Sequence, residues 1–279
     1  RAIGYGGLDA RWGVLLLASL LLLLAYLYSA ALWGLMVRGV GGPELGILNA
    51  QRVFFTANLG RYVPGKLWQI AGLAYLAQRE GVRPGTATAA AILGQGFSLA
   101  GATLVGLGVL LQGGWNREVG GGWAMMGLVL LLGAMIFPMA LKGLMRLWFR
   151  LAKREFPGAF RPDEAFGVRW MGLYALGWIL QGMAFWALAV GLGLELTLLP
   201  AAAAYPAAYV LGYLAVFAPA GIGVREASLV VFLGPLLGAG AAALAVVARL
   251  WTTMAELILA GVLAGGYLKK DNKGEMAGA

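Results

Sequence analysis

Residues 217–229 read FAPAGIGVREASL. An apolar run stops at Pro219, passes Gly221 and Gly223, sets Arg225 beside Glu226, and returns at once to the greasy SLVVFLGPLL. An ion held at the centre of a bilayer costs roughly 2.5–3.5 kcal/mol on insertion scales. Two ions side by side therefore mark a place where the chain turns, lines water or meets a ligand. Proline removes a backbone donor and glycine permits a tight turn. The stretch 198–237 accordingly reads as a broken, re-entrant hairpin rather than one ordinary crossing.

The rest of the 279-residue chain supports a membrane setting. It is 61% hydrophobic and only 12% charged, with a mean hydropathy of +0.81. Several runs hold around 20 apolar residues, enough for a hydrocarbon core of about 30 Å. The fold class expected is an all-α integral membrane protein, a polytopic helix bundle. The net charge of +9 sits mostly between spans, which points to lipid headgroups and the positive-inside bias rather than nucleic acid. The chain contains no cysteine and no histidine. Disulfides, thiolate nucleophiles, imidazole bases and the usual zinc and haem ligands are thus absent. Asp9, Asp163 and Asp271 are scattered and form no metal-holding pair. No metal and no cofactor is expected, and without a GxxxxGK[ST] loop neither is ATP hydrolysis.

A second break matches the first. In ANLGRYVPGKLWQ (57–69), Asn58, Arg61, Pro64, Gly65 and Lys66 interrupt an apolar stretch of about 47–80. Shifted by 155 positions, Pro64 falls on Pro219, Leu59 on Leu214, Gly85 on Gly240 and Ala90 on Ala245. One transmembrane domain with two repeats follows, at 12–111 and 168–267, each carrying a re-entrant hairpin. A basic segment at 142–165, rich in Arg and Lys on one helical face, reads as an amphipathic helix and loop at the membrane surface. The span count inverts the second repeat relative to the first. The seven cations of 142–169 place that loop inside, together with Arg38, Arg52, Arg79, Arg83 and the C-terminal lysines. The start of the first span then lies outside, and because the chain opens on Arg1, a further span ahead of it is expected. Tryptophans near span ends, among them Trp12, Trp33, Trp170 and Trp178, are expected in aromatic belts.

The candidates for function are the ions and polar groups at the two breaks. Arg61, Lys66, Arg225, Glu226 and Arg249, with Asn58, Trp68 and Gln69, are the expected substrate-binding side chains. Pro64, Gly65, Gly221 and Gly223 would free backbone N–H groups for an anion, phosphate above all. The plain structural alternative pairs Arg225 with Glu226 or Glu256 merely to neutralise the bundle. Glu226 and Glu256 are also the candidates for coupling to a proton.

These motifs resemble those of the lysylphosphatidylglycerol synthase transmembrane, or flippase-like, family. APAGIGVREASLVVFL, followed by ARLWTTMAE on the next helix, is similar to its C-terminal signature. Asn58, Pro64, Gly65 and Lys66 supply the first-half pattern, with Leu67 and Trp68 standing where an acidic pair is usual. The resemblance, spanning about 12–267, implies translocation of an anionic or phosphate-bearing lipid, either phospholipid or polyprenyl-phosphate-linked, across the cell membrane. It also implies membrane lipids as partners, with a lipid-modifying enzyme or glycosyltransferase nearby. No synthase domain is expected within these 279 residues. The expected mode is alternating access around a basic midplane pocket, without enzymatic activity. A transferase acting on a polyprenyl phosphate, with Glu226 as base, and a scaffold for an envelope glycosyltransferase are the alternatives.

Overall fold

The computed structural model describes residues 10–63, 67–111, 143, 146–147, 150, 162–215 and 218–276. Lys66, Pro64 and Gly65, the expected span at 123–141, and nearly all of the basic segment at 142–165 lie outside these residues. Among the described residues the protein is entirely helical. In chain order the helices are α1 (Trp12–Gly39), α2 (Ile47–Asn58), α3 (Leu67–Arg79), α4 (Pro84–Gly106), α5 (Phe166–Gly191), α6 (Leu198–Leu214), α7 (Val224–Leu237) and α8 (Gly240–Met276). Short 3-10 turns, Leu59–Tyr62 and Pro219–Gly221, stand at the two sequence breaks.

Helix length separates spans from broken pieces. α1, with 28 residues, extends roughly 42 Å and crosses easily. α2 and α3, with 12 and 13 residues, reach only about 18–20 Å each. They pack as an antiparallel hairpin. At the base the Asn49 amide donates to Glu80 Oε2 at 3.0 Å, and near the tip Gln69 Nε2 donates to Asn58 Oδ1 at 2.6 Å. α6 and α7 form the second hairpin, whose base lies where Gly240 packs on Leu194. Among the described residues, five stretches are long and apolar enough to cross a membrane: 12–39, 84–109, 166–191, 219–237 and 240–263. The stretch 219–237 joins the second 3-10 turn to the helix that follows it. The two 3-10 turns touch each other. Arg249 Nη2, well inside α8, donates to Ala220 O at 3.2 Å.

The two sets of four helices follow one pattern. α1, α2, α3 and α4 start at residues 12, 47, 67 and 84, and α5 to α8 start at 166, 198, 224 and 240. Each pair lies within four residues of the 155-residue shift seen in the sequence. α1 and α5 run antiparallel against each other. Arg11 N donates to Gly191 O at 2.9 Å at one end, Tyr28 Oη donates to Leu173 O at 2.9 Å further along, and Gly39 meets the Trp170 ring at the other end. One further pair of contacts between the sets is reciprocal. α6 packs on α4 of the first set, and α2 packs on α8 of the second.

Small residues bring the backbones together, as expected where lipid gives helices no apolar driving force to associate. A Cβ on Gly101 of α4 would lie 2.7 Å from Ala175 N, and one on Gly182 of α5 would lie 2.6 Å from Ala202 Cα. The outer surface is apolar instead. Val246, Leu250, Met254 and Leu257 form an exposed stripe on α8, and Leu16, Leu17, Leu20 and Leu24 do the same on α1. One end of the bundle collects the α1 C-terminus, the base of the first hairpin and the starts of α4 and α5. Arg38, Arg52, Arg79, Arg83 and Arg169 belong to these segments.

The aromatic belt needs correction. Trp12 is 77% exposed, but Trp33, Trp170 and Trp178 are at most 6% exposed. Sequence position near a span end gives depth in the membrane but not which way the ring points. Here helix packing turns these three indoles inward.

Candidate functional site

The two hairpin tips, α1, α4, α5 and α8 enclose a cavity of about 830 Å3, counting the space at its mouth. Tyr26, near the middle of α1, lines it, so it lies in the membrane interior. A smaller cavity of about 410 Å3 adjoins it between the tips. Arg61, Gln69, Tyr209 and Arg225 line both.

The ions have sorted into pairs that cross between elements. Arg61, on the first 3-10 turn, places Nη1 2.8 Å from Glu256 Oε1 of α8, and Tyr62 Oη donates to Glu256 Oε2 at 2.8 Å. Both side chains of this ion pair are largely buried, 19% and 13% exposed. It binds the first hairpin to the last helix of the other set. Arg249 Nε lies 3.4 Å from Glu226 Oε1. Glu226 Oε2 accepts the Gly223 N–H at 2.6 Å, satisfying a free backbone donor at the start of α7. Gly223, at φ +83°, takes a left-handed conformation that an L side chain would strain.

Arg225 is different. Among the described residues no carboxylate pairs with it. Nη2 donates to Tyr205 Oη at 3.5 Å, and its guanidinium lies over the Tyr209 ring, 5.0 Å from the centroid, and 5.7 Å from that of Tyr205. The stem runs across Gly212, where a Cβ would collide with Arg225 Cγ. Glycine at 212 thus opens the route by which the charge reaches the cavity. Neighbouring helix positions point roughly 100° apart, so Arg225 turns to the cavity while Glu226 turns back to its own N-terminus and Arg249. Among the described residues the cavity wall holds two guanidiniums, Arg61 and Arg225, against one carboxylate, Glu256.

The expected site residues divide accordingly. Asn58, Arg61, Gln69 and Arg225 line the main cavity, with Glu256. Gly221 lines the smaller one. Glu226 and Arg249 pair just behind the second tip and line neither. Gly223 offers its N–H to Glu226. Trp68 is 57% exposed and lies on the outer surface. The adjacent pairing of Arg225 with Glu226 or Glu256 does not form, because each glutamate is held by another arginine.

Sequence reasoning missed the aromatic half of the site. Tyr205 and Tyr209 line the cavity, and Tyr209 stacks on Tyr213. Trp178 meets Tyr209 at 4.3 Å between ring centroids. The i, i+4, i+8 spacing of these tyrosines on α6 was the available signal. Trp33, Gln95 and Gln181 also line the cavity.

The sequence model of one family, described as the lysylphosphatidylglycerol synthase TM region, matches residues 8–260. No curated protein and no solved structure shows significant similarity to the chain. The match takes in both hairpins, both ion pairs and every described residue of the cavity wall, and the protein belongs to the lysylphosphatidylglycerol synthase TM region family.

Proposed function

We propose that the protein is a lipid translocator that carries an anionic, phosphate-bearing headgroup through the cavity between its two hairpins. Family membership brings a membrane-lipid-related role. The observation that carries the finer reading is Arg225: a guanidinium with no carboxylate partner among the described residues, facing an interior cavity whose wall already holds Arg61. Desolvating an ion costs several kcal/mol even after relaxation. A protein recovers that expense when a ligand anion supplies the missing charge and accepts the hydrogen bonds. The lipid tail stays in the bilayer while the headgroup crosses.

The paired helix sets support a reading of alternating access. A two-fold axis relating the antiparallel α1 and α5 lies across them, in the membrane plane, so the sets are read as inverted repeats. The Arg61–Glu256 pair and the Tyr62 hydrogen bond close the cavity on one side by joining the first tip to α8. Opening that side exchanges them for solvent or substrate. The basic end of the bundle faces the cytoplasm by the positive-inside rule. The protein makes and breaks no covalent bond in this reading. Glu226, the base that a transferase would need, is engaged by Arg249 and by the Gly223 N–H.

Vesicles of purified protein containing a tail-labelled phosphatidylglycerol test this. An impermeant quencher reaches only the outer-leaflet label, so translocation shows as loss beyond about half the signal, the share expected of a symmetric bilayer. Wild-type protein should drive the loss, and Arg225→Met should abolish it. Rates equal to those of protein-free vesicles for the wild type would overturn the proposal.

A further inference from the structure

The cavity has a second half that the phosphate does not need. Away from the arginines its wall is polar but uncharged. Asn58, Gln95 and Gln181 bring amides, with Ser29 and Ser98 beside them. Asn58 and Gln181 are at most 9% exposed. Trp33, 1% exposed, lines the same wall, and its indole N–H has no hydrogen-bond partner among the described residues. Indole nitrogen is a donor only, so it asks for an acceptor oxygen. A buried donor left without one carries a desolvation penalty that a ligand hydroxyl can remove. Aromatic faces accompany the amides, since Tyr174 and Trp178 also line the wall.

The same wall is hostile to a second cation. Its one carboxylate, Glu256, already has Oε1 on Arg61 and Oε2 on Tyr62. With the lipid phosphate balancing the arginines, an ammonium group on the same headgroup would find no free carboxylate among the described residues and would stay buried without a counter-ion.

Building on the anion site at Arg225, we infer that the substrate is a phosphodiester lipid whose distal headgroup is uncharged and hydroxyl-bearing, with Trp33, Gln95 and Gln181 reading the hydroxyls. Glycerol on a glycerophospholipid and a hexose on a polyprenyl phosphate share that chemistry. The phosphodiester's single negative charge balances the single excess guanidinium among the described residues of the wall. Headgroups ending in an amine share the phosphodiester but bring the excluded cation.

The test compares tail-labelled lipids in vesicles of the full chain: phosphatidylglycerol, a polyprenyl-phosphoryl hexose, phosphatidylethanolamine and an aminoacylated phosphatidylglycerol. One or both of the first two should move at least about tenfold faster than either amine-bearing lipid, the discrimination expected from a mispaired buried polar group. Which of the two moves identifies the source of the headgroup. Trp33→Phe, which keeps a ring and removes the N–H, should lower the favoured rate severalfold and narrow the selectivity. If the amine-bearing lipids move as fast as the hydroxyl-bearing ones in the wild type, the headgroup inference is overturned while the phosphate site stands. If no lipid moves, both fall. If Trp33→Phe keeps the full rate and full selectivity, the reading role of Trp33 is overturned.

Discussion

Replacing Arg225 by methionine separates a ligand site from a structural ion more sharply than any other change. Methionine keeps an unbranched stem across Gly212 and removes the charge. A guanidinium and a phosphate about 4 Å apart attract by about 4 kcal/mol at an effective dielectric of 20, and a charge-assisted hydrogen bond is worth about 1.5–3 kcal/mol net. A loss of about 2–4 kcal/mol corresponds to a rate or affinity lowered roughly thirty- to several-hundredfold. Stability should move the other way or stay level. Arg225 has no carboxylate to leave stranded among the described residues, and its stacking on Tyr209 and Tyr205 is worth only about 0.5–2 kcal/mol. Removing it also removes a desolvation penalty. Arg61→Met is the control, because it leaves Glu256 as a buried carboxylate without its cation, a loss of about 3–5 kcal/mol. Translocation would be read by quenching in vesicles and stability by the unfolding temperature of the same preparations, compared at one heating rate. Arg225→Met should abolish transport with an unfolding temperature near or above wild type, while Arg61→Met should lower both. Equal destabilisation by the two variants, or an Arg225→Met protein that still transports, would refute the reasoning.

The Arg61→Met/Glu256→Gln double variant should recover part of the stability lost in Arg61→Met, giving a coupling energy of about 0.5–3 kcal/mol in a double-mutant cycle. Gly212→Ala should push Arg225 from the cavity and lower transport by at least about tenfold, as a misplaced charge loses its hydrogen bond. Leu211→Ala, one position earlier on the same helix, serves as its control and should leave the rate within a few-fold. Gly101→Ala should lower the unfolding temperature through overpacking against Ala175, by about 1–3 kcal/mol. With no native cysteine in the chain, single cysteines report topology cleanly. Glu44→Cys and Arg83→Cys should react with an impermeant reagent from one face of the membrane, and Glu195→Cys and Ala239→Cys from the other.

Much of the architecture was legible because breaks in apolar runs are physical punctuation. Pro219 and the glycines after it stop one helix and start another whatever surrounds them, and the helix starts of the two sets lie within four residues of the 155-residue shift. Partner choice was not legible. Arg225 and Glu226 adjoin in the chain but diverge on the helix, and their partners depend on how α8 lies against both tips. Arg249 and Glu256, seven apart on α8, meet different hairpins. The three tryptophans were misread because depth along a span is written in the sequence while azimuth is set by packing. The Tyr205, Tyr209 and Tyr213 ladder was visible as a spacing of four, but tyrosine on an apolar helix is as common in packing as in binding.

The central claim is that Arg225 holds its charge inside the membrane for a lipid headgroup. Electron cryomicroscopy of the protein in nanodiscs containing phosphatidylglycerol tests it most directly. The account predicts headgroup density between the hairpin tips, with a phosphate oxygen within hydrogen-bonding distance of the Arg225 guanidinium. An Arg225 paired with a carboxylate, or hairpin tips exposed to bulk water with the cavity collapsed, would contradict it.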